Sequence, residues 1–205
     1  MSETFERLKH TAIPVVRTGI ERSARVLVDW LREGGMSVFE ITTSVPGHDA
    51  IVRDLAGDPD ALVGMGTVLD ADGARRAIDA GADFLVSPCV VPEVIETAVA
   101  AGCPVIAGAA TPTEVLAAHR TGATAVKIFP IRQLGGHAYL KAVRSVLPFV
   151  GLVPTGGIEI DEVDAYFQAG ALAVGLGSQL ARDAEIEAGD KAPIVERASR
   201  LAARS

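Results

Sequence analysis

Apolar residues in this chain come in short runs separated by longer amphipathic stretches. Branched and small apolar side chains cluster at about 12–16, 38–42, 62–66, 83–87, 104–108, 124–128, 150–154 and 172–176, which predicts eight strands. Between them, apolar positions recur at helical spacing over 20–33, 72–80, 91–101, 112–121, 136–147 and 161–169. A short leading helix is expected over 1–10 and a last one over about 191–203, with Asp or Thr near several helix starts as caps. One phrase recurs where helix gives way to strand: Glu33-Gly34-Gly35, Ala80-Gly81-Ala82, Ala101-Gly102-Cys103, Thr121-Gly122-Ala123 and Ala169-Gly170-Ala171. A glycine just past a helix takes the left-handed conformation without penalty, so each phrase reads as helix stop and strand start.

Continuous apolar strands alternating with amphipathic helices imply a parallel sheet covered by helices. Eight such units predict one (β/α)8 TIM-barrel domain spanning residues 1–205. The rival is an open doubly wound sheet with a dinucleotide. It would want G-x-G-x-x-G after the first strand, whereas Gly64-Met65-Gly66 and Gly175-Leu176-Gly177 both lack the third glycine.

Composition narrows the class. A hydrophobic fraction of 49% with 22% charged residues suits a globular core, and a net charge of -7 argues against nucleic acid or anionic membrane as partner. Without an apolar run of membrane-spanning length or a secretion signal, a cytoplasmic protein is expected. Cys89 and Cys103 read as two buried thiols, since neither has a C-x-x-C neighbour or a histidine pair. His10, His48, His119 and His137 are scattered, so no metal is expected. No Ser–His–acid set is legible, and His48 reads as a solvated helix start.

In a β/α barrel the chemistry sits at the C-terminal ends of the strands, here Arg17, Glu40, Thr67, Ser87, Pro88, Lys127 and Thr155. Period-two alternation in Ala125-Val126-Lys127-Ile128-Phe129 sets Lys127 opposite Val126 and Ile128, which points it into the lumen if those two pack under helices. A poorly hydrated lysine loses stability in its charged form, so a nucleophilic amine capable of a Schiff base becomes accessible. Glu40 obeys the same alternation beside Phe39 and Ile41 and is the candidate acid/base. A purely structural Lys–Glu pair fits the same residues. Two glycine turns, Thr155-Gly156-Gly157-Ile158 and Gly175-Leu176-Gly177-Ser178, follow strands seven and eight, where such barrels cradle phosphate.

The phrases Phe39-Glu40-Ile41-Thr42, Gly64-Met65-Gly66-Thr67-Val68-Leu69, Phe84-Leu85-Val86-Ser87-Pro88, Lys127-Ile128-Phe129-Pro130, Pro154-Thr155-Gly156-Gly157-Ile158 and Gly175-Leu176-Gly177-Ser178 occur in this order. Together they resemble the 2-keto-3-deoxy-6-phosphogluconate (KDPG) aldolase and 4-hydroxy-2-oxoglutarate aldolase family, across nearly the whole chain. The resemblance implies a class I aldolase with Lys127 as Schiff-base lysine and Glu40 as acid/base. It sets Thr67, Pro88 and Phe129 at the pyruvate end, Arg17 near the keto-acid carboxylate, and Thr155 at substrate hydroxyls. Gly156, Gly157 and Ser178 would hold phosphate. It further implies a homotrimer, no metal or other cofactor, and a KDPG-type substrate cleaved to pyruvate and glyceraldehyde 3-phosphate. Two other expectations stand beside it: the same chemistry on 4-hydroxy-2-oxoglutarate, giving pyruvate and glyoxylate, and a barrel that only binds a phosphorylated metabolite. One departure bears on this choice. Ser44 stands where some phosphogluconate-cleaving members carry arginine, four residues beyond the glutamate, and serine cannot make a bidentate carboxylate contact.

Overall fold

The computed structural model describes residues 3–203; residues 1 and 2 of the expected leading helix lie outside them. Eight strands form one parallel sheet: β1 Ala12–Val16, β2 Val38–Thr42, β3 Leu62–Gly66, β4 Phe84–Val86, β5 Val105–Ala109, β6 Ala125–Ile128, β7 Leu152–Pro154 and β8 Val174–Leu176. Their order is β7-β6-β5-β4-β3-β2-β1-β8, so only β7 and β8 must meet to close the barrel. They do so through a parallel bridge between Thr155 and Gly175 and a 2.8 Å bond from Leu172 N to Leu152 O. The result is a (β/α)8 barrel.

The helices are α1 Glu3–Leu8, α2 Glu21–Glu33, α3 His48–Ala56, α4 Ala71–Asp79, α5 Pro92–Ala100, α6 Pro112–Thr121, α7 Ile131–Leu134, α8 Gly136–Val146, α9 Val163–Gln168, α10 Asp183–Ala188 and α11 Ala192–Ala202, with a 3-10 turn at Ile160–Glu162 ahead of α9. Cap chemistry sets several starts. The Asp70 carboxylate accepts from Gly73 N at 2.6 Å before α4. Before α6, Thr111 and Glu114 exchange bonds in a capping box. In the Gly34-Gly35 phrase it is the second glycine, Gly35 at φ +86°, that turns left-handed. The helices α3, α7 and α10 go beyond the segments read from the sequence. The first starts at a bare Gly47 without a side-chain cap, and the other two are only 4 and 6 residues long.

Strand alternation builds two cores. Outward-facing Phe39, Ile41, Val63, Met65, Leu85, Val105, Val126, Ile128 and Val174 pack under the helices. Inward-facing Ile13, Val38, Leu62, Phe84, Val86, Ile106, Ala125, Val153 and Ala173 fill the lumen, and Phe5 and Leu8 of α1 plug its lower end. The lumen is therefore filled from below and open only above, where the polar strand-end residues lie. The expectation of two buried thiols needs correction: Cys89 is exposed in the loop after β4 and Cys103 is half-buried. A loop at the barrel mouth offers Cys89 no layer to pack beneath, while burial, aided by the charge of Asp83, pushes the Cys103 thiol up to about 11.

Candidate active site

Lys127 lies in β6 between Val126 and Ile128, which both belong to the outer core, so its side chain enters the lumen. Glu40 enters from β2 in the same way. Three strands separate β2 from β6 in the sheet, and the two side chains meet across the barrel, with Lys127 Nζ 3.6 Å from Glu40 Oε1. Both are buried, at 7% and 3% exposure. Space for the carboxylate exists because residue 66 lacks a side chain: a Cβ there would stand 2.1 Å from Glu40 Oε1. Among the described residues that oxygen has the Lys127 ion pair but no hydrogen-bond partner. A buried carboxylate oxygen without a hydrogen bond is costly, so its position suits a water or a substrate hydroxyl. Lys127 Nζ also sits 5.5 Å from the centroid of the Phe129 ring.

Above this floor the strand ends form a rim. Arg17 donates from Nη2 to Thr67 Oγ1 at 3.0 Å, and Thr67 itself is held at φ +61° with Thr43 Oγ1 donating to its carbonyl at 2.8 Å. A positive φ in a β-branched residue is a strained conformation, and strain of this kind concentrates at functional sites. Thr155 is buried beside Gly175, where a Cβ would come within 2.3 Å of its hydroxyl oxygen. Ser178 Oγ donates to Gln179 Oε1 at 3.2 Å.

One cavity of about 430 Å³ gathers Arg17, Thr67, Pro88, Lys127, Phe129, Thr155, Gly156, Gly157 and Ser178. Glu40 lies below its wall, against Lys127. Ser87 is turned away, its hydroxyl donating to Cys89 O at 2.7 Å. The sequence reading missed Gln179 and Ala181, ahead of α10, and Asp183 and Ile186 within it, which line the cavity wall. They stand in a short segment of mixed polarity and carry no periodic signal. Ser44 is exposed, 2.8 Å from Thr42 Oγ1, and lines a neighbouring cavity that shares Arg17, Asp183 and Ile186 with the first. His48 begins α3 as expected, but its ring is half-buried, with Nδ1 2.9 Å from Val45 O. Among the described residues there is no cluster of three metal-ligating side chains and no helix long and apolar enough to cross a membrane.

A parallel barrel sealed below, with an amine and a carboxylate at the floor of a polar-rimmed well, is an architecture that suits a barrel lyase. The family model described as "KDPG and KHG aldolase" matches residues 5–197, and the chain belongs to that aldolase family. Relatives agree over most of their length. The 2-dehydro-3-deoxy-phosphogluconate aldolase of Treponema pallidum is 35% identical over 189 residues, 92% of this chain and 89% of its own. The 2-dehydro-3-deoxy-6-phosphogalactonate aldolase of Escherichia coli is 37% identical, covering 73% of this chain and 74% of its own. Among solved structures, the KDPG aldolase of Legionella pneumophila, with pyruvate captured as a covalent carbinolamine intermediate, superposes with a TM-score of 0.88 at 28% identity over 98% of both chains.

Proposed function

We propose that this protein is a Schiff-base aldolase that cleaves a 2-keto-3-deoxy-6-phospho sugar acid to pyruvate and glyceraldehyde 3-phosphate. The observation that carries this reading is the buried Lys127–Glu40 pair, 3.6 Å apart, beneath a cavity rimmed by both glycine turns. Lys127 Nζ attacks the C2 ketone, and loss of water leaves a protonated imine. Glu40, through a water at Oε1, takes the C4 hydroxyl proton while the C3–C4 bond breaks and its electrons pass into the iminium. The aldehyde leaves, the enamine is protonated at C3, and hydrolysis frees pyruvate and the amine. The iminium is the electron sink, so the reaction calls for no metal or cofactor.

In this reading Arg17 faces the keto-acid carboxylate, and Thr67, Pro88 and Phe129 shape the pyruvate end. Thr155 meets hydroxyls, and Gly156, Gly157 and Ser178 receive the phosphate. The chain acts as one barrel domain, in a cytoplasmic homotrimer. The pyruvate carbinolamine of the Legionella relative supports the imine step. A second reading, cleavage of 4-hydroxy-2-oxoglutarate to pyruvate and glyoxylate, is favoured by the Asp183 carboxylate on the cavity wall, which opposes a doubly charged distal phosphate more than a singly charged distal carboxylate.

Borohydride reduction with pyruvate should fix a pyruvate-derived adduct on Lys127, located by mass spectrometry, and Lys127→Met should show none. An unmodified Lys127 would overturn the imine mechanism. Pyruvate release from a panel of phosphorylated and plain 2-keto-4-hydroxy acids separates the two substrates.

A further inference from the structure

The segment after β6 grips the turn after β7 from its side away from the cavity. Ile131 N donates to Thr155 O at 2.9 Å, Arg132 N to Gly156 O at 3.2 Å, and Arg132 Nη1 to Gly157 O at 2.6 Å. Three successive carbonyls are thus drawn one way. These peptides are trans, with C=O and N–H opposed across a planar unit, so each anchored carbonyl turns the following amide the other way. Among the described residues the Gly157 and Ile158 amides donate to no protein acceptor.

The turn needs such a grip. Gly156 at φ +101° and Gly157 at φ +76° are glycines whose backbone has many alternative states, so the turn has little shape of its own. The Arg132 side chain supplies shape twice. Its Cβ and Cδ lie 2.9 Å from where a Gly157 Cβ would stand, and its guanidinium holds the 157–158 peptide. The guanidinium is itself held by Glu162 at 3.2 Å and Glu159 at 3.7 Å.

We propose that Arg132 is a positioning residue for the distal end of the substrate: its bond to Gly157 O presents the Ile158 amide, beside that of Gly157, to a substrate phosphate. The proposal rests on the reading of this turn as the phosphate cradle. The Arg132 side chain is half exposed, and ion pairs at such exposure add little to folding, so its variants should remain folded.

The test compares kcat/KM for 2-keto-3-deoxy-6-phosphogluconate and for the same acid without phosphate, in wild type, Arg132→Ala and Arg132→Lys, with thermal melts of each. Wild type should prefer the phosphorylated acid. In Arg132→Ala that preference should fall roughly tenfold, about the worth of one hydrogen bond to a charged group, mainly through KM, with partial recovery in Arg132→Lys. Turnover of the plain acid should change less than twofold. If wild type shows the preference and Arg132→Ala keeps it, or if both substrates lose equally, the positioning role is overturned while the phosphate cradle stands. A wild type without any preference overturns the cradle itself and the proposal with it.

Discussion

Glycine at 66 and glutamate at 40 form one unit: the carboxylate lies where any larger residue would put its Cβ. Gly66 is not in the left-handed region, so alanine there brings collision without backbone strain. Gly66→Ala should therefore cost about 1–3 kcal/mol by overpacking and turn the carboxylate out of place. Cleavage should fall ~10²-fold or more, the range of a lost general acid/base. Melts and steady-state rates check both, and a fully active Gly66→Ala would show that Glu40 can work from another position. Period two made Glu40 and Lys127 legible as lumen residues. The exposure of Cys89 was not legible, because residue type says little about burial in a loop at the mouth.

At the scale of elements, α4 and α6 carry side-chain caps and were read from the sequence, but so were α2, α5, α8 and α11, which have none and are marked by apolar periodicity alone. The α6 capping box has Thr111 Oγ1 accepting from Glu114 N at 3.3 Å and the Glu114 carboxylate accepting from Thr111 N at 2.8 Å. The Ala110 amide, followed by the Thr111 hydroxyl and amide, holds the Glu114 carboxyl below its ordinary value. A depressed carboxylate stabilises the fold above its unfolded pKa, and that contribution is lost as pH falls through its folded one. Thr111→Ala should cost about 1 kcal/mol near neutral pH. Glu114→Ala should also destabilise there, and its difference from wild type should shrink on acidification. Denaturant titrations across pH measure this, and a difference that grew in acid would remove Glu114 from the cap. The helices α3, α7 and α10 lay outside the segments read from the sequence. The last two are only 4 and 6 residues long, too short to show a helical period, and the Glu185 carboxylate caps the second by accepting from Arg182 N at 3.1 Å.

At the scale of the molecule, the barrel leaves Ile20, Val146 and Phe149 more than 60% exposed, apolar surface that the proposed homotrimer has a use for. Sedimentation should show a species of three times the 21.2 kDa chain, and a monomer at micromolar concentration would remove the trimer from the reading. The sequence by itself determined the number and order of the strands, because the punctuation between helix and strand is local. It also determined which side chains face the lumen, because alternation follows from strand geometry alone. Only the tertiary structure decided that residues 40 and 127 stand 3.6 Å apart with Glu40 Oε1 free of hydrogen bonds, that the 178–188 segment walls the cavity, and that Arg132 grips Gly157. Those contacts join residues far apart in the chain. Their distances depend on how the eight strands tilt and close, and no local pattern of residues encodes that.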